Sequence, residues 1–367
     1  MRSSSFYFRV YIFFLITIVA MGSLNSFLLT FIWEGYDPDF NKLYTYLVYL
    51  IFFSIGVYLF KKIKQSLFID KKKYTSTVNL DLIFFPIIIF NLYSLVVRGG
   101  YGGAPVIIPF STLFNSLIFV IPLLKYFLGK RNLLTKLQII IALSIFIISG
   151  ARFNAIFFLL IFFFIERKIN LIRLILMLVI FFGALFFRNS NSLNDSFIVK
   201  ITSSFGSEIR DGLSVDKYFY SNEIRELKKD YVKNMIISSI PGYSALGLMD
   251  GNKFRENLLS YRYTYKLGLN KSLGITGIRV GIVREVELFY GFIGVILLSL
   301  FNAFILSRLI LSRDDNMFKF MFLLLSIIPF YSIFGQADLF LSISFNLIYA
   351  LIICMIFISL KIKPYPK

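Results

Sequence analysis

Residues 277–295 read GIRVGIVREVELFYGFIGV, and this stretch changes character halfway along. Its first half carries four charged side chains, and its second half is apolar with spaced glycines. The charged residues are Arg279, Arg284, Glu285 and Glu287. A hydrophobic helix that opens on such charges is typical of a membrane segment that begins at the boundary between water and lipid.

Composition places the chain among membrane proteins. Of its 367 residues, 57% are hydrophobic and only 16% are charged, which exceeds the apolar share of a soluble domain. The single cysteine, Cys354, has no partner for an internal disulfide. Histidine is absent, so the commonest general base and the commonest metal ligand are both missing. We therefore expect an all-α polytopic membrane protein.

Ten apolar runs approach the roughly 20 helical residues that cross about 30 Å of hydrocarbon. The first run is too long for the core of a signal peptide, and no small-residue cleavage site follows it. The predicted transmembrane helices are Phe8 to Ile32, Leu43 to Phe60, Val78 to Val97, Leu113 to Leu128, Leu133 to Ser149, Phe153 to Ile165, Leu171 to Phe187, Leu288 to Leu311, Phe318 to Phe334, and Leu339 to Leu360.

Charge orients these helices. The chain has 39 Lys and Arg against 20 Asp and Glu, and the basic residues concentrate in alternate connections, which the positive-inside rule assigns to the cytoplasm. Both termini are therefore predicted to be cytoplasmic. The residues that set this orientation are Lys61, Lys62, Lys64, Lys71, Lys72, Lys73, Lys130, Arg131, Lys136, Arg167, Lys168, Arg308, Arg313, Lys361, Lys363 and Lys367. The basic excess reflects topology, and nucleic acid is not an expected partner.

This orientation divides the chain into three parts. Residues 1–187 are predicted to form transmembrane helices 1–7, residues 188–287 one long external loop, and residues 288–367 helices 8–10 with a cytoplasmic tail. The long loop is the only part able to build much structure outside the membrane. Chemistry is therefore expected there.

An amphipathic helix is predicted inside the long loop, in NEIRELKKDYVKNMIISSI. Apolar residues recur there every three or four positions, which places them on one face of a helix, and charged residues lie on the other face. The apolar set is Ile224, Leu227, Tyr231, Val232, Met235, Ile236 and Ile240. Three interpretations stay open: the helix lies at the membrane surface, it roofs a cavity between membrane helices, or it is a packed surface helix without a function.

Arginines in the long loop lie on the side that the topology rule would deplete of positive charge. Guanidinium groups bind phosphate and carboxylate through a rigid fork of donors, which suits a lipid pyrophosphate or an acidic sugar. Pairing within the loop is the alternative, since residues 188–287 hold 15 Lys and Arg against 11 acidic residues. The arginines are Arg188, Arg210, Arg225, Arg255, Arg262, Arg279 and Arg284.

Arg152 lies between two short apolar runs of about 17 and 13 residues, which reach only partway through the hydrocarbon unless the bilayer thins. Arg152 is then recessed to about the depth of the headgroup phosphates. A recessed charge needs a partner or a wet cavity. Arg152 is expected to bind an anion, and pairing with a structural carboxylate such as Asp338 is the alternative.

The segment YRYTYK alternates Tyr261, Tyr263 and Tyr265 with basic residues. An extended segment would place the three tyrosines on one face, where they can stack on sugar rings. An aromatic belt at the membrane interface is the alternative explanation.

Two segments, SGARFNAIFFLLIFFF and GIVREVELFYGFIGVILLSLFNAF, flank the long Arg-rich loop and resemble the O-antigen polymerase (Wzy) family. In that family a small-residue turn with Arg opens one membrane helix, and a Glu followed by two spaced glycines opens the helix after the loop. The matching positions here are Arg152, Glu285, Gly291 and Gly294, within residues 145–305. The two glycines are also expected to permit close helix packing.

The resemblance implies an enzyme of O-antigen (lipopolysaccharide) or capsule synthesis in the bacterial inner membrane, with its active site facing the periplasm. The growing chain on undecaprenyl pyrophosphate would be transferred to the non-reducing end of an incoming lipid-linked repeat unit, without a metal, cofactor or nucleotide sugar. The implied partners are the undecaprenyl-pyrophosphate-linked glycan, the lipid bilayer and a membrane protein that regulates chain length.

Residue roles follow from the chemistry of that transfer. Glu285 is the candidate for orienting or deprotonating the acceptor hydroxyl, because a carboxylate is the remaining common base in a chain without His. The candidates for stabilising charge on the pyrophosphate, or for binding sugar carboxylates, are Arg152, Arg210, Arg279 and Arg284. A self-paired capping cluster in REVE is an equal alternative, since Glu is favourable near a helix start.

Three other classes share parts of this pattern. An O-antigen ligase relies on a His in its long loop, which this chain lacks. A polyprenyl-phosphate-dependent glycosyltransferase would carry acidic residues in its first external loop, where Asp37 and Asp39 lie, but that class builds its large external structure on this same loop. A transporter or flippase for lipid-linked sugars would show paired repeats and broken helices, and the sequence shows no internal repeat.

Overall fold

The computed structural model describes residues 2–32, 37–60, 78–97, 110–149, 152–166, 172, 175, 179–180, 207–243, 246–248, 250, 258–268, 280–311, 317–334 and 337–359. Every regular element in these ranges is a helix, and they contain no strand. The prediction of an all-α protein is therefore confirmed.

The described ranges contain helices in the following order. In chain order they are α1 (Arg2–Ile32), α2 (Leu43–Phe60), α3 (Val78–Val97), α4 (Ser111–Phe127), α5 (Leu133–Ile148), α6 (Arg152–Glu166), α7 (Ser207–Ser214), α8 (Ser221–Ser238), α9 (Leu259–Lys266), α10 (Ile282–Leu311), α11 (Met317–Leu325), α12 (Ile327–Phe334) and α13 (Ala337–Ser359). A 3-10 helix, Phe40–Lys42, precedes α2, and another, Val215–Tyr218, follows α7.

Within the part of the chain that the structure describes, three helical stretches are long and apolar enough to cross a membrane: Phe40–Phe60, Leu80–Val97 and Ile282–Leu309. Shorter apolar helices accompany them, including α4, α5 and α6 with 17, 16 and 15 residues. Helical structure covers the predicted runs, but Phe318 to Phe334 forms two helices, α11 and α12, separated at Ser326. Most of Leu171 to Phe187 lies outside the described residues. Length and composition indicate membrane association, while the number of ten spans and their orientation stay predictions.

The chain divides into two compact units. The first consists of Met1–Ser66, Asn194–Arg313 and Leu325–Ser344, and the second of Leu67–Leu193, Asp314–Leu324 and Phe345–Lys367. Helices α1, α2, α7 to α10 and α12 belong to the first unit, and α3 to α6 belong to the second. The long connection before α10 therefore folds together with the first two helices, a grouping that chain order does not show.

In the first unit, α2 packs directly against α10. A Cβ on Gly56 would lie 2.7 Å from Cβ of Ala303, so the two backbones approach closely where a side chain is missing. Asn302 Nδ2 donates to Tyr49 Oη at 2.9 Å and to Ser332 Oγ of α12 at 2.7 Å. These buried hydrogen bonds fix α2, α12 and the part of α10 after the bend to one another.

In the second unit, a buried lysine joins α3, α4 and α5. Only 1% of the Lys125 side chain is exposed, and it forms an ion pair with Asp81. Lys125 Nζ also donates to Gln138 Oε1 at 2.9 Å, and Gln138 Nε2 donates to Asp81 Oδ1 at 2.6 Å. The closed triangle satisfies a charge that would be costly to bury alone.

Helix α10 is sharply bent at Gly291, whose φ of 65° and ψ of −162° belong to a region essentially restricted to glycine. A Cβ on Gly294, at the inside of the bend, would lie 2.7 Å from Cβ of Tyr290 and 2.8 Å from Cγ1 of Val286. In a straight helix the backbones of residues 286 and 294 would be about 12 Å apart along the axis. The two glycines thus accommodate a turn of their own helix, which corrects the expectation that they serve packing between helices.

The bend separates the charged beginning of α10 from its apolar remainder. The twenty residues after Gly291, 292–311, measure about 30 Å at 1.5 Å per residue, which matches the hydrocarbon core of a bilayer. Residues 282–290, with Arg284 and Glu285, therefore form a separate short helix at the end of the membrane-length part.

Alanine at either glycine should destabilise the protein. Gly291→Ala forces a Cβ onto a glycine-only conformation, at a cost of about 1–3 kcal/mol. Gly294→Ala overpacks the inside of the bend, at a similar cost of about 1–3 kcal/mol. Leu297→Ala, at a position that is 62% exposed, is the control and should change stability little. Thermal unfolding of the purified protein in detergent measures this, and an unchanged Tm for both glycine variants would show that the bend is dispensable.

Candidate functional site

Arg284 is buried near the beginning of α10, with 1% of its side chain exposed. Its Nε donates to the carbonyl oxygen of Gly212 at 3.0 Å, and its Nη2 donates to both carboxylate oxygens of Asp216 at 2.8 Å. Its Nη1 forms an ion pair with Glu287, three residues later on the same helix. Two nitrogens of this guanidinium therefore donate hydrogen bonds within the protein, and the third faces the carboxylate of Glu287.

The two carboxylates that bind Arg284 have further partners. Thr45 Oγ1 donates to Glu287 Oε2 at 2.6 Å, and Lys42 Nζ lies 3.1 Å from Asp216 Oδ2. We refer to Arg284, Glu287, Asp216 and Lys42 as the Arg284 cluster. Two cations face two anions in it, so the cluster is neutral as a whole, which offsets the cost of burying its charges.

Helix α7 approaches the beginning of α10 because a glycine faces it. A Cβ on Gly212 would lie 2.7 Å from the carbonyl oxygen of Val280 and 2.9 Å from Cγ of Arg284. On the same short helix, Arg210 binds the carboxylate of Asp211 through Nε at 2.8 Å and Nη2 at 3.1 Å. Arg210 and Arg284 are far apart in the sequence, yet both bind groups that belong to α7.

The YRYTYK segment is helical and forms most of α9, so the prediction of an extended segment was wrong. Tyr263 is buried, and its hydroxyl lies 2.8 Å from Ser214 Oγ at the end of α7. Tyr261 is partly buried and Tyr265 is 47% exposed. Alternate residues share a face only in a strand, whereas a helix places Tyr263 away from the other two.

Glu285 follows Arg284 directly and is buried, with 5% of the residue exposed. Its peptide N–H donates to the carbonyl oxygen of Gly281 at 3.1 Å, so Glu285 belongs to the first turn of α10. Amide groups at the beginning of a helix favour a negative charge there. The acidic candidate and the Arg284 cluster therefore lie side by side.

The remaining candidates are placed elsewhere. Arg279 lies outside the described residues. Arg152 begins α6 and belongs to the second unit, and its side chain lies outside what the structure describes. The predicted residues that the first unit gathers are Arg210, Tyr261, Tyr263, Arg284 and Glu285.

Helix α8 covers the short helix that precedes the bend. The ring of Tyr231 lies 4.5 Å from the ring of Phe289 and 6.0 Å from that of Tyr290. The buried stripe of α8 consists of Leu227, Tyr231, Asn234 and Ser238. The helix predicted in the long connection is thus confirmed, but its buried stripe includes the polar Asn234 and Ser238, while Val232 and Ile236 of the predicted apolar face are exposed.

A polar groove of about 240 Å³ lies between α8 and α9. Its lining residues are Glu226, Leu227, Lys229, Asp230 and Arg262. Two carboxylates and two cations offer both acceptors and donors of hydrogen bonds. The volume is below the 300–1,000 Å³ or so of pockets for drug-sized ligands, and is suited to a group about the size of one sugar ring.

An ion pair closes one end of the contact between α8 and α9. Lys266 Nζ donates to both carboxylate oxygens of Glu223, at 2.7 and 2.6 Å, and to the carbonyl oxygen of Tyr218 at 2.7 Å. The Glu223 carboxylate also accepts the peptide N–H of Tyr220 at 3.0 Å. Lys266, and then the Tyr220 N–H, hold the pKa of Glu223 below its ordinary value of about 4.5.

The partners of Arg284 were not predicted as functional residues. The spacing of Arg284 and Glu287 could predict their pairing, because residues three apart on a helix face one another. The self-pairing alternative for REVE is therefore confirmed for these two residues. Asp216 and Gly212 had no signal, since Asp216 is separated from Arg284 by 68 positions. Only folding reveals that pairing.

No protein-family model, curated protein or solved structure matches the chain. The resemblance to O-antigen polymerases therefore stays a prediction based on the motifs around Arg152 and Glu285. Within the described ranges, no three or more His, Cys, Asp or Glu side chains are grouped to hold a metal ion. What the geometry itself provides is a neutral charge cluster with a buried carboxylate beside it.

Removing the charge of Arg284 should destabilise the protein strongly. Arg284→Met leaves Asp216 and Glu287 without their buried partner, which costs about 3–5 kcal/mol. Lys42→Met removes a partly exposed member of the same cluster and should cost no more than about 1 kcal/mol. Chemical unfolding in detergent would check the difference. Equal losses for the two variants would contradict the central position of Arg284.

The contact between α8 and α9 should weaken in acid. Because the pKa of Glu223 is lowered in the folded protein, its ion pair stabilises the fold above about pH 4.5, and this contribution is lost as pH falls through the lowered value. Glu223→Gln should remove this acid-sensitive step. Amide hydrogen exchange of residues 218–230 between pH 3 and 6 measures it, with Glu226→Gln as the control. A step that persists in Glu223→Gln would assign the pH dependence to another group.

Proposed function

We propose that this protein polymerises lipid-linked oligosaccharide repeat units for O-antigen or capsule synthesis, in the bacterial inner membrane with its site facing the periplasm. The observation that supports this most is the buried carboxylate of Glu285, beside the Arg284 cluster and just before a helix of membrane length. Both lipid-linked substrates carry their reacting groups at that level of the bilayer, so a positioned carboxylate there meets them.

In the proposed reaction, the bond between the anomeric carbon of the growing chain and its undecaprenyl pyrophosphate breaks. A new bond forms between that carbon and a hydroxyl of the non-reducing terminal sugar of the incoming repeat unit. Glu285 takes the proton of this hydroxyl, and undecaprenyl pyrophosphate leaves. A carboxylate serves as the base because the chain contains no His.

Arg284 is a positioning residue in this proposal. Its nitrogens already face Gly212, Asp216 and Glu287, so it holds the first turn of α10, and with it Glu285, in place. The pyrophosphate is left to the other arginines, whose fork of donors matches phosphate oxygens. Arg279 is the candidate in the long connection, because Arg210 already binds Asp211 through Nε and Nη2, and a role for Arg152 stays a prediction.

The groove between α8 and α9 suits the glycan part of the substrate. Sugar hydroxyl groups both donate and accept hydrogen bonds, and the groove provides partners of both kinds. Tyr261 and the exposed Tyr265, on α9, offer aromatic surface to a sugar ring. Tyr263, by contrast, contacts the end of α7 through its hydroxyl and has a structural role.

Transport of lipid-linked sugars is the second candidate, and the bend at Gly291 favours it. Transporters place substrates at interrupted membrane helices, and α10 is interrupted there. The glycosyltransferase alternative has less support, because the two acidic residues that suggested it bind other groups of the protein. Asp37 pairs with Lys217, and Asp39 accepts the peptide N–H of Asn41 at 3.1 Å.

Complementation of a gene deletion tests the proposal. Cells that carry Glu285→Gln, at wild-type abundance in the membrane, should make surface glycan with a single repeat unit on lipid in place of a ladder. Loss of a general base costs about 10²–10⁴ in rate. Electrophoresis of the surface glycan measures chain length.

The matched control is Asp250→Asn, an exposed carboxylate of the same long segment, which should keep the ladder. A ladder that survives deletion of the gene would exclude a polymerase. Disappearance of even the single repeat in the deletion strain would indicate a transporter or an earlier transferase. Purified protein in liposomes, supplied with lipid-linked repeat units, should then lengthen them without an energy source.

A further inference from the structure

Helix α8 lies at the level where the membrane-length part of α10 begins. Tyr231 of α8 packs on Phe289 and Tyr290, the last two residues before the bend at Gly291. The residues after the bend, 292–311, fill about 30 Å, the whole thickness of the hydrocarbon core. A helix in contact with residues 289 and 290 is therefore level with the boundary between lipid and water.

Aromatic side chains mark the same level. The rings of Tyr44 and Phe292 lie 4.9 Å apart, at the beginnings of α2 and of the membrane-length part of α10. Both are partly exposed, as is Tyr290, and Lys228 Nζ of α8 lies 5.0 Å from the centre of the Tyr290 ring. Partly exposed aromatic residues with a neighbouring lysine are typical of the interface of a bilayer.

The fold covers only part of the apolar surface of α8. Val232 and Ile236 were predicted on the same face as Tyr231, but they are 55% and 58% exposed. Arg225, Lys228 and Lys229 recur with them at three and four spacing, so aliphatic and cationic side chains share one edge of the helix. We refer to Arg225, Lys228, Val232 and Ile236 as the Val232 edge, while Lys229 lies at its border and also lines the groove.

The acidic residues of α8 lie away from the Val232 edge. Glu223, Glu226 and Asp230 recur at three and four spacing of their own, on the side of the groove and of Lys266. An edge with exposed aliphatic groups and cations, separated from the anions of the same helix, complements the headgroup layer of an acidic bilayer.

We propose that the Val232 edge of α8 rests in the headgroup layer of a bilayer that contains anionic phospholipids. Val232 and Ile236 then reach the upper acyl region, while Arg225 and Lys228 bind lipid phosphates. The groove between α8 and α9 stays on the aqueous side. This inference rests on α10 crossing the membrane and not on the proposed polymerase activity.

Spin labels on single cysteines test the placement in the full-length protein. Cys354 is buried and is replaced first by alanine, after which Val232→Cys and Ile236→Cys are made one at a time. Glu226→Cys and Asp230→Cys on the same helix are the matched controls. Each variant is labelled and reconstituted in bilayers of phosphatidylethanolamine and phosphatidylglycerol, and collision rates with oxygen and with a water-soluble nickel chelate are measured.

Labels at positions 232 and 236 should collide several-fold more with oxygen relative to nickel than labels at 226 and 230. Equal ratios at all four positions would overturn the proposal, because the edge would then face water. Labels at 232 and 236 that neither reagent reaches, or that couple to each other between molecules, would overturn it in favour of contact with a second copy.

Charge provides a second measurement. In Ile236→Cys, the added changes Arg225→Gln and Lys228→Gln should lower the ratio of oxygen to nickel collisions, and so should bilayers of neutral phosphatidylcholine alone. Labels that keep the same ratio in neutral and acidic bilayers would show that lipid phosphates are not bound there. Because no glycan substrate is present, the result is independent of whether the protein polymerises sugars.

Discussion

The buried charge of Arg284 is the constraint on which the first unit depends. A guanidinium removed from water is tolerated only when carboxylates and carbonyl oxygens replace the solvent, and Asp216, Glu287 and Gly212 do so. These partners come from the 3-10 helix after α7, from α10 itself and from α7, while Thr45 ties Glu287 to α2. Elements that lie far apart in the sequence are therefore fixed around one side chain. The absence of a Cβ at Gly212 is what lets α7 come close enough.

The bend at Gly291 separates the Arg284 cluster from the membrane-length part of α10. A straight helix of 30 residues would measure about 45 Å and overrun a hydrocarbon core of about 30 Å. By turning at a glycine-only conformation, α10 keeps its apolar part at membrane length and sets its charged first turns apart from it. Glu285 then lies buried beside the Arg284 cluster without having to enter the lipid. The bend and the ion pairs thus solve one problem, which is how to keep charges at the end of a membrane helix.

The proposed chemistry uses this arrangement with a division of roles. Arg284 positions the helix, Glu285 faces the acceptor, and α8 covers the short helix before the bend while presenting a polar groove to the other side. Since no known family, protein or structure matches the chain, these roles depend on the chemistry of the residues themselves. The lipid-facing edge proposed for α8 would place the groove at the level where the lipid-linked glycans of the proposed reaction enter.

The helical class, most helix bounds and the amphipathic α8 could be predicted from the sequence, because hydrophobic periodicity and run length are local properties. The pair of Arg284 with Glu287 could be predicted too, since helical spacing brings them together. The sequence could not reveal the pairing of Arg284 with Asp216 or the bend at Gly291, nor that YRYTYK is helical and buries Tyr263. Those features depend on which helices pack together, and the desolvation of a charge or a tyrosine is settled only when distant segments meet.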